Sequence, residues 1–149
     1  MNKQEALQKI EELKAFIEQE DAKEFPQKEE EYYIVNDNRE VVKRWNHNQK
    51  LTNYHLATNN VYRTSEDAKL WLEIQKRAIE LRGDWKPDWS DHCESKNYIM
   101  WDYDDDEPFI ESNSFIMNQG TFYMSHEAAE TLIKEYGDKL KIWICGGLS

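Results

Sequence analysis

Between Asp102 and Glu107 the chain carries five carboxylates, Asp102, Asp104, Asp105, Asp106 and Glu107, closed by Pro108. Acids at alternate positions, Asp102, Asp104 and Asp106, match the opening of a calcium-binding loop, whose side-chain oxygens ligate the ion. The match then fails. Where such a loop needs glycine straight after the third ligand the chain has Glu107, and the closing glutamate is replaced by Asn113. The acids therefore predict a solvated hairpin turn, with no metal ligands expected. Closely spaced carboxylates also suit a groove lined with Arg and Lys on another protein. Mimicry of a nucleic-acid strand would need more acids alongside, and Asp84, Asp88, Asp91 and Glu94 are the available set.

Two further groups have binding chemistry. Trp85 and Trp89 flank Pro87 in a stretch with no clear period, where exposure is expected. An exposed Trp anchors a protein interface or stacks on a base, and the surrounding acids favour a protein partner. Arg39, Lys43 and Arg44, with nearby aromatics, would instead suit a nucleotide-like ligand held between two protomers. Groups for covalent chemistry are sparse. His47, His55, His92 and His126 lack the spacing of a zinc site and are expected at the surface or in turns. Cys93 beside His92 is the one candidate nucleophile and base, but neighbours on a strand point to opposite faces. There is no phosphate-cradling glycine loop and no G-x-S-x-G. The chain reads as a non-enzyme without a cofactor.

The elements that position these groups follow from a strand-to-helix junction that occurs twice. Val61-Tyr62-Arg63-Thr64-Ser65-Glu66-Asp67-Ala68 returns as Phe122-Tyr123-Met124-Ser125-His126-Glu127-Ala128-Ala129. In each copy a hydroxyl residue is placed to cap a helix, and an acid follows in the first turn, where the helix dipole favours it. Upstream of each junction, Tyr33-Ile34-Val35 and Tyr98-Ile99-Met100 open β-hairpins. The first hairpin turns at Asn36-Asp37-Asn38 and returns through Val41, Val42 and Trp45; Asn46 to Asn60 reads as a third short strand or an ordered loop. A helix is expected from Ser65 to about Arg82, stopped by Gly83. In the second unit strands are expected at Tyr98–Tyr103, Phe109–Ile116 and Thr121–Tyr123, then a helix from Ser125 to Gly137. Residues 138–145 fit either helix or strand.

Residues 3–19 predict an amphipathic helix with Ala6, Ile10, Leu13 and Ile17 on one stripe, widened by Leu7 and Phe16. The stripe is expected to pack on the domain's own sheet, the alternatives being a dimer seam or a partner-binding helix. A charged connector broken by Pro26 follows. The whole is an α+β domain with an antiparallel sheet: residues 1–31 helix and connector, 32–83 first repeat, 84–149 second repeat.

The 149 residues carry a net charge of −11, unevenly spread. Residues 1–31 hold ten acids and five bases, 32–82 six and nine, and 83–149 fourteen and five. Most of that surface should repel nucleic acid, so direct nucleic-acid binding is not expected. No apolar run approaches the roughly 20 residues that span a bilayer. The polar start Met1-Asn2-Lys3-Gln4-Glu5 does not read as a signal peptide, and two cysteines suit free thiols in a cytoplasmic setting.

At Asn60-Val61-Tyr62-Arg63-Thr64-Ser65-Glu66-Asp67-Ala68 the chain resembles small uncharacterised proteins of phages and prophages of Gram-positive bacteria, which share an N-V-F/Y-x-T/S-x-E-E-A strand-to-helix motif. The likeness extends to Tyr33–Trp45 and Tyr123–Ala129, about two-thirds of the chain. It implies an origin in a mobile element and gives no site residues. Small acidic phage proteins are often inhibitors of host defence. The expectation is thus a non-catalytic, anti-defence protein whose acidic surface binds and inhibits a host protein with a basic surface, such as a nucleic-acid-binding effector. Sequestration of a small molecule or nucleotide, and a role in phage structure or assembly, are the alternatives; homo-oligomers are open.

Overall fold

In the first hairpin, β1 (Glu31–Val35) pairs antiparallel with β2 (Val41–Trp45), placing Tyr33 opposite Lys43. The computed structural model describes residues 2–21, 24–113 and 121–148, with backbone only for Glu20 and Asp21. Asn36 closes the hairpin turn: its side-chain oxygen accepts the Glu40 amide at 2.9 Å, and Arg39 takes the left-handed conformation at φ 60°. The second hairpin joins β3 (Lys96–Asp102) to β4 (Glu107–Asn113), with Ile99 opposite Ile110. The expected third strand of this unit reduces to one antiparallel bridge, Asn97 with Met124; residues 114–120, which include the end expected for β4, lie outside the described residues. Tyr62 bridges to Tyr33 in the first unit in the same sense. The two hairpins form separate two-stranded sheets, so the expected antiparallel sheet is divided.

Two helices follow the junctions. α3 (Ser65–Arg82) is capped by Thr64, whose hydroxyl accepts the Asp67 amide at 3.1 Å. α4 (His126–Tyr136) is capped by Ser125 through the Ala128 amide at 3.2 Å. Both end on a glycine, Gly83 at φ 54° and Gly137 at φ 51°, whose amides donate to the carbonyls of Ile79 and Ile133. Positive φ of this kind is inexpensive only for glycine. After a 3-10 turn (Gly137–Lys139), α5 (Leu140–Cys145) settles the open C-terminal segment as helix. Its Leu140 is fully buried, whereas a strand would alternate its contacts.

The main core lies between α3, α4, α5 and the second hairpin: Ile74, Ala78, Ile99, Met124, Ala128, Ala129, Leu132 and Leu140. Alanines at 78, 128 and 129 let α3 and α4 approach closely. On their solvent side Arg77 holds Glu135 through two hydrogen bonds, 2.7 and 2.8 Å long. A smaller core, Tyr32, Ile34 and Val61, is closed by Phe25, Val42 and Leu56.

Three expectations are overturned. Residues 46–60 form neither strand nor loop but α2 (Gln49–Ala57), started by Asn48, whose side chain accepts from the amides of Lys50 and Leu51. Thr52 and His55 face inward, so the buried positions are polar and the apolar period is hidden. Trp45, whose place on a strand makes core packing the default expectation, lies outside the core and is 44% exposed. The N-terminal helix, α1 (Lys3–Asp21), begins with a reciprocal cap between Asn2 and Glu5, but its stripe does not pack on a sheet. Leu7, Ile10, Leu13, Phe16 and Ile17 are all about half exposed, while Phe25 of the connector packs on the first hairpin's core.

Candidate binding cleft

A concavity of about 1010 Å³ opens between the first hairpin and the helices of the core. One wall is the end of β1 with its turn, including Asp37 and Arg39, and the second half of α2, including Tyr54 and His55. The opposite wall is Trp71, Leu72, Gln75 and Lys76 of α3, with Trp143 of α5. Helical spacing explains that wall, since residues three to four apart share a face. A smaller hollow of about 490 Å³ lies behind it and shares Trp71, Gln75 and Trp143.

Several lining groups are fixed in place. The Trp143 indole nitrogen donates to Gln75 Oε1 at 2.7 Å, which locks the ring against α3. Asn60 exchanges two hydrogen bonds with the Val35 backbone, at 2.7 and 2.8 Å, and so ties the α2 turn to β1. His55 is buried, contrary to its expected place at the surface; the sequence carried no signal beyond its three-residue spacing from Thr52. Its Nδ1 lies 2.9 Å from the Tyr32 hydroxyl, which lies 3.3 Å from Thr52 Oγ1. Burial, then the nearby Arg44 charge, hold the imidazole pKa below its ordinary value. Kept neutral, His55 shares one hydrogen bond with the Tyr32 hydroxyl, which shares a second with Thr52. Burial also raises the pKa of Tyr62, a further lining residue. Arg39 and Lys76, by contrast, have no ion pair among the described residues.

The three cations expected to act together are separated. Arg39 lines the cleft, while Lys43 lies 3.3 Å from Glu31 and over the Trp45 ring. Arg44 is nearer His55. Lys43 and Arg44 are consecutive on β2, so their side chains leave opposite faces.

The acidic turn is exposed, but its acids divide between bracing and display. Asp102 Oδ1 accepts the amides of Asp104 and Asp105, at 2.9 and 3.2 Å. Asp106, at φ 53°, accepts from the Trp101 indole at 3.2 Å and pairs with Lys141 at 3.5 Å. Asp104 and Asp105 are left outward, with no cation partner among the described residues.

The tryptophan loop is built differently from its expected form. Trp85 and Trp89 are half-buried, and Trp89 meets the Tyr123 ring edge-on at 5.0 Å. Asp88 accepts from Ser90 and Asp91 accepts the Cys93 amide, while Glu94 accepts the Asp88 amide at 2.9 Å. The hydroxyl and then the amide of Ser90, both donating to its carboxylate, depress the Asp88 pKa. The loop closes around Lys96, which is fully buried with its ammonium on the carbonyls of Asp91 and Glu94. Three of the four acids that mimicry would need are therefore occupied as backbone caps.

Among the described residues no group of three His, Cys, Asp or Glu gathers as a metal would need, and no helix is long and apolar enough to cross a membrane. The chain matches no protein-family model, no curated protein and no solved structure.

Proposed function

We propose that this chain is a non-catalytic binding protein that holds a planar, anionic small molecule of nucleotide size in the cleft. The observation that carries this reading is the conjunction of Trp71, Trp143 and Tyr54 with two cations, Arg39 and Lys76, that have no ion pair among the described residues. Aromatic faces accept a flat ring, and unpaired cations on both walls suit a phosphate or carboxylate. The volume lies at the upper end of the range, roughly 300–1,000 Å³, typical of small-ligand sites. Asp37 lies in the same lining and disfavours a highly charged ligand at its end. Likeness to phage proteins and the free Cys93 and Cys145 support action in the reducing cytoplasm of an infected host. Titration calorimetry and tryptophan fluorescence against a panel of mono- and dinucleotides test the idea. Trp71→Ala and Arg39→Ala should each weaken the best ligand at least about tenfold, as losing a stacked ring or charged contact does. A panel without any binder refutes it.

A second reading keeps the acidic turn as the working surface, directed at a basic groove on a host protein. It rests on Asp104 and Asp105, which point outward from a turn already braced by Asp102 and Asp106. Replacing both with Asn should slow association with the partner and flatten its salt dependence, because exposed charges act chiefly on encounter. A lysate pull-down that retains the same partner equally with both proteins removes this reading.

A further inference from the structure

We infer that α1 is a self-association element, and that two copies of this chain pair through antiparallel α1 helices. The face it offers is continuous and uncovered: Leu7 is 52% exposed, Ile10 48%, Leu13 61%, Phe16 60% and Ile17 56%. Ala6, Ile10, Leu13 and Ile17 keep the alternating four-three spacing of a helix-pair seam. Charge on the flanks selects the occupant and its direction. In a parallel pair, Lys9 beside the seam of one helix would face Lys14 beside the seam of the other, twice over. In an antiparallel pair, Ile10 meets Leu13 and Ala6 meets Ile17 of the second copy. Lys9 then lies along Phe16 and within reach of Glu12, and Lys14 lies along Leu7 and within reach of Glu11. Lys9 and Lys14 have no ion pair among the described residues, so both are available for these contacts. Apolar burial and charge pairing thus agree on one arrangement. With only two heptads the interface is small, and the dimer is expected to be weak and concentration-dependent.

Sedimentation velocity on the full chain, from about 1 μM to about 1 mM, spans the range in which a small interface dissociates. A reversible monomer–dimer equilibrium is expected. Leu13→Glu should abolish it and leave the melting temperature of the monomer unchanged, since that side chain touches no core. Orientation is read by oxidation in a Cys93→Ser, Cys145→Ser background. In the antiparallel pair residue 6 lies beside residue 17 of the other copy, while the two residues 6 are about 16 Å apart along the axis at 1.5 Å per residue. An equal mixture of Ala6→Cys and Ile17→Cys chains should therefore form the crossed disulfide, with little of either homodimer. A monomer at every concentration, a dimer that survives Leu13→Glu, or prompt cross-linking of Ala6→Cys to itself would each overturn the proposal. A lower melting temperature for monomeric Leu13→Glu would also overturn it, by showing that the face is covered within one chain.

Discussion

Replacing Lys96 with Met tests whether a buried charge, rather than apolar packing, holds the 84–95 loop. The ammonium donates to the Asp91 carbonyl at 2.5 Å and the Glu94 carbonyl at 3.1 Å, with the Glu94 carboxylate 3.9 Å away. It also lies 5.4 Å from the centre of the Trp89 ring. Met keeps most of the side-chain volume but leaves both carbonyls without their donor. Hydrogen bonds to a charged group are worth about 1.5–3 kcal/mol each. Removing the ammonium also removes the cost of burying it, so the net loss is a part of that sum, about 2–4 kcal/mol. In a chain of this length that corresponds to a fall of roughly 5–15 °C in the unfolding midpoint. Thermal unfolding by circular dichroism gives the midpoint, and tryptophan emission should shift red as Trp89 loses its cover. A Lys96→Met protein that melts at or above the wild-type temperature would refute the account, leaving Trp89 and Tyr123 as the loop's anchors.

Other outcomes follow from the same geometry. Thr64→Ala and Ser125→Ala should each cost about 1 kcal/mol through a lost helix cap, read as a lower urea midpoint. Leu132→Ala, in the fully buried centre of the main core, should cost about 2–5 kcal/mol, and a smaller loss would mean that the core collapses around the cavity. Because the His55 pKa is depressed in the fold, the unfolded chain binds the extra proton first. Its contribution is intact above the unfolded value of about 6.5 and is lost as pH falls from there through the folded pKa. Melting curves between neutral and mildly acidic pH should show this decline, reduced in His55→Asn, which retains a hydrogen-bonding side chain for Tyr32.

Local signals in the sequence were legible where local forces decide the outcome. The bounds of α3 could be read because Thr64, the acids of its first turn and Gly83 act within a few residues of each end. α2 escaped the same reading because its outward face carries Leu51 and Tyr54 while its inward face carries Thr52 and His55. Apolar pattern there points the wrong way, and only the Asn48 cap marks the helix. The cleft was not legible, since Arg39 and Lys76 are joined only by the packing of the hairpin against α3. Counting acids overstated the charge available to a partner, because a carboxylate that caps an amide looks identical in sequence to one facing solvent. Asp102 and Asp104 differ in that way, and no spacing rule separates them.

The close contact between the chain's late residues and the first unit bears on how the protein is made. A side chain at Gly147 would collide with the Val61 carbonyl and the Tyr62 ring, and Asn59 donates to the Cys145 carbonyl at 3.4 Å. The turn after α2 therefore gains one of its partners only some 86 positions later. At a ribosomal rate of about 5–20 residues per second, that interval is roughly 4–17 s. Throughout it, a nascent first unit holds residues 60–62 only through Val35, Tyr33 and the small core, and lacks the cover that residues 145–147 later give to Asn59, Val61 and Tyr62.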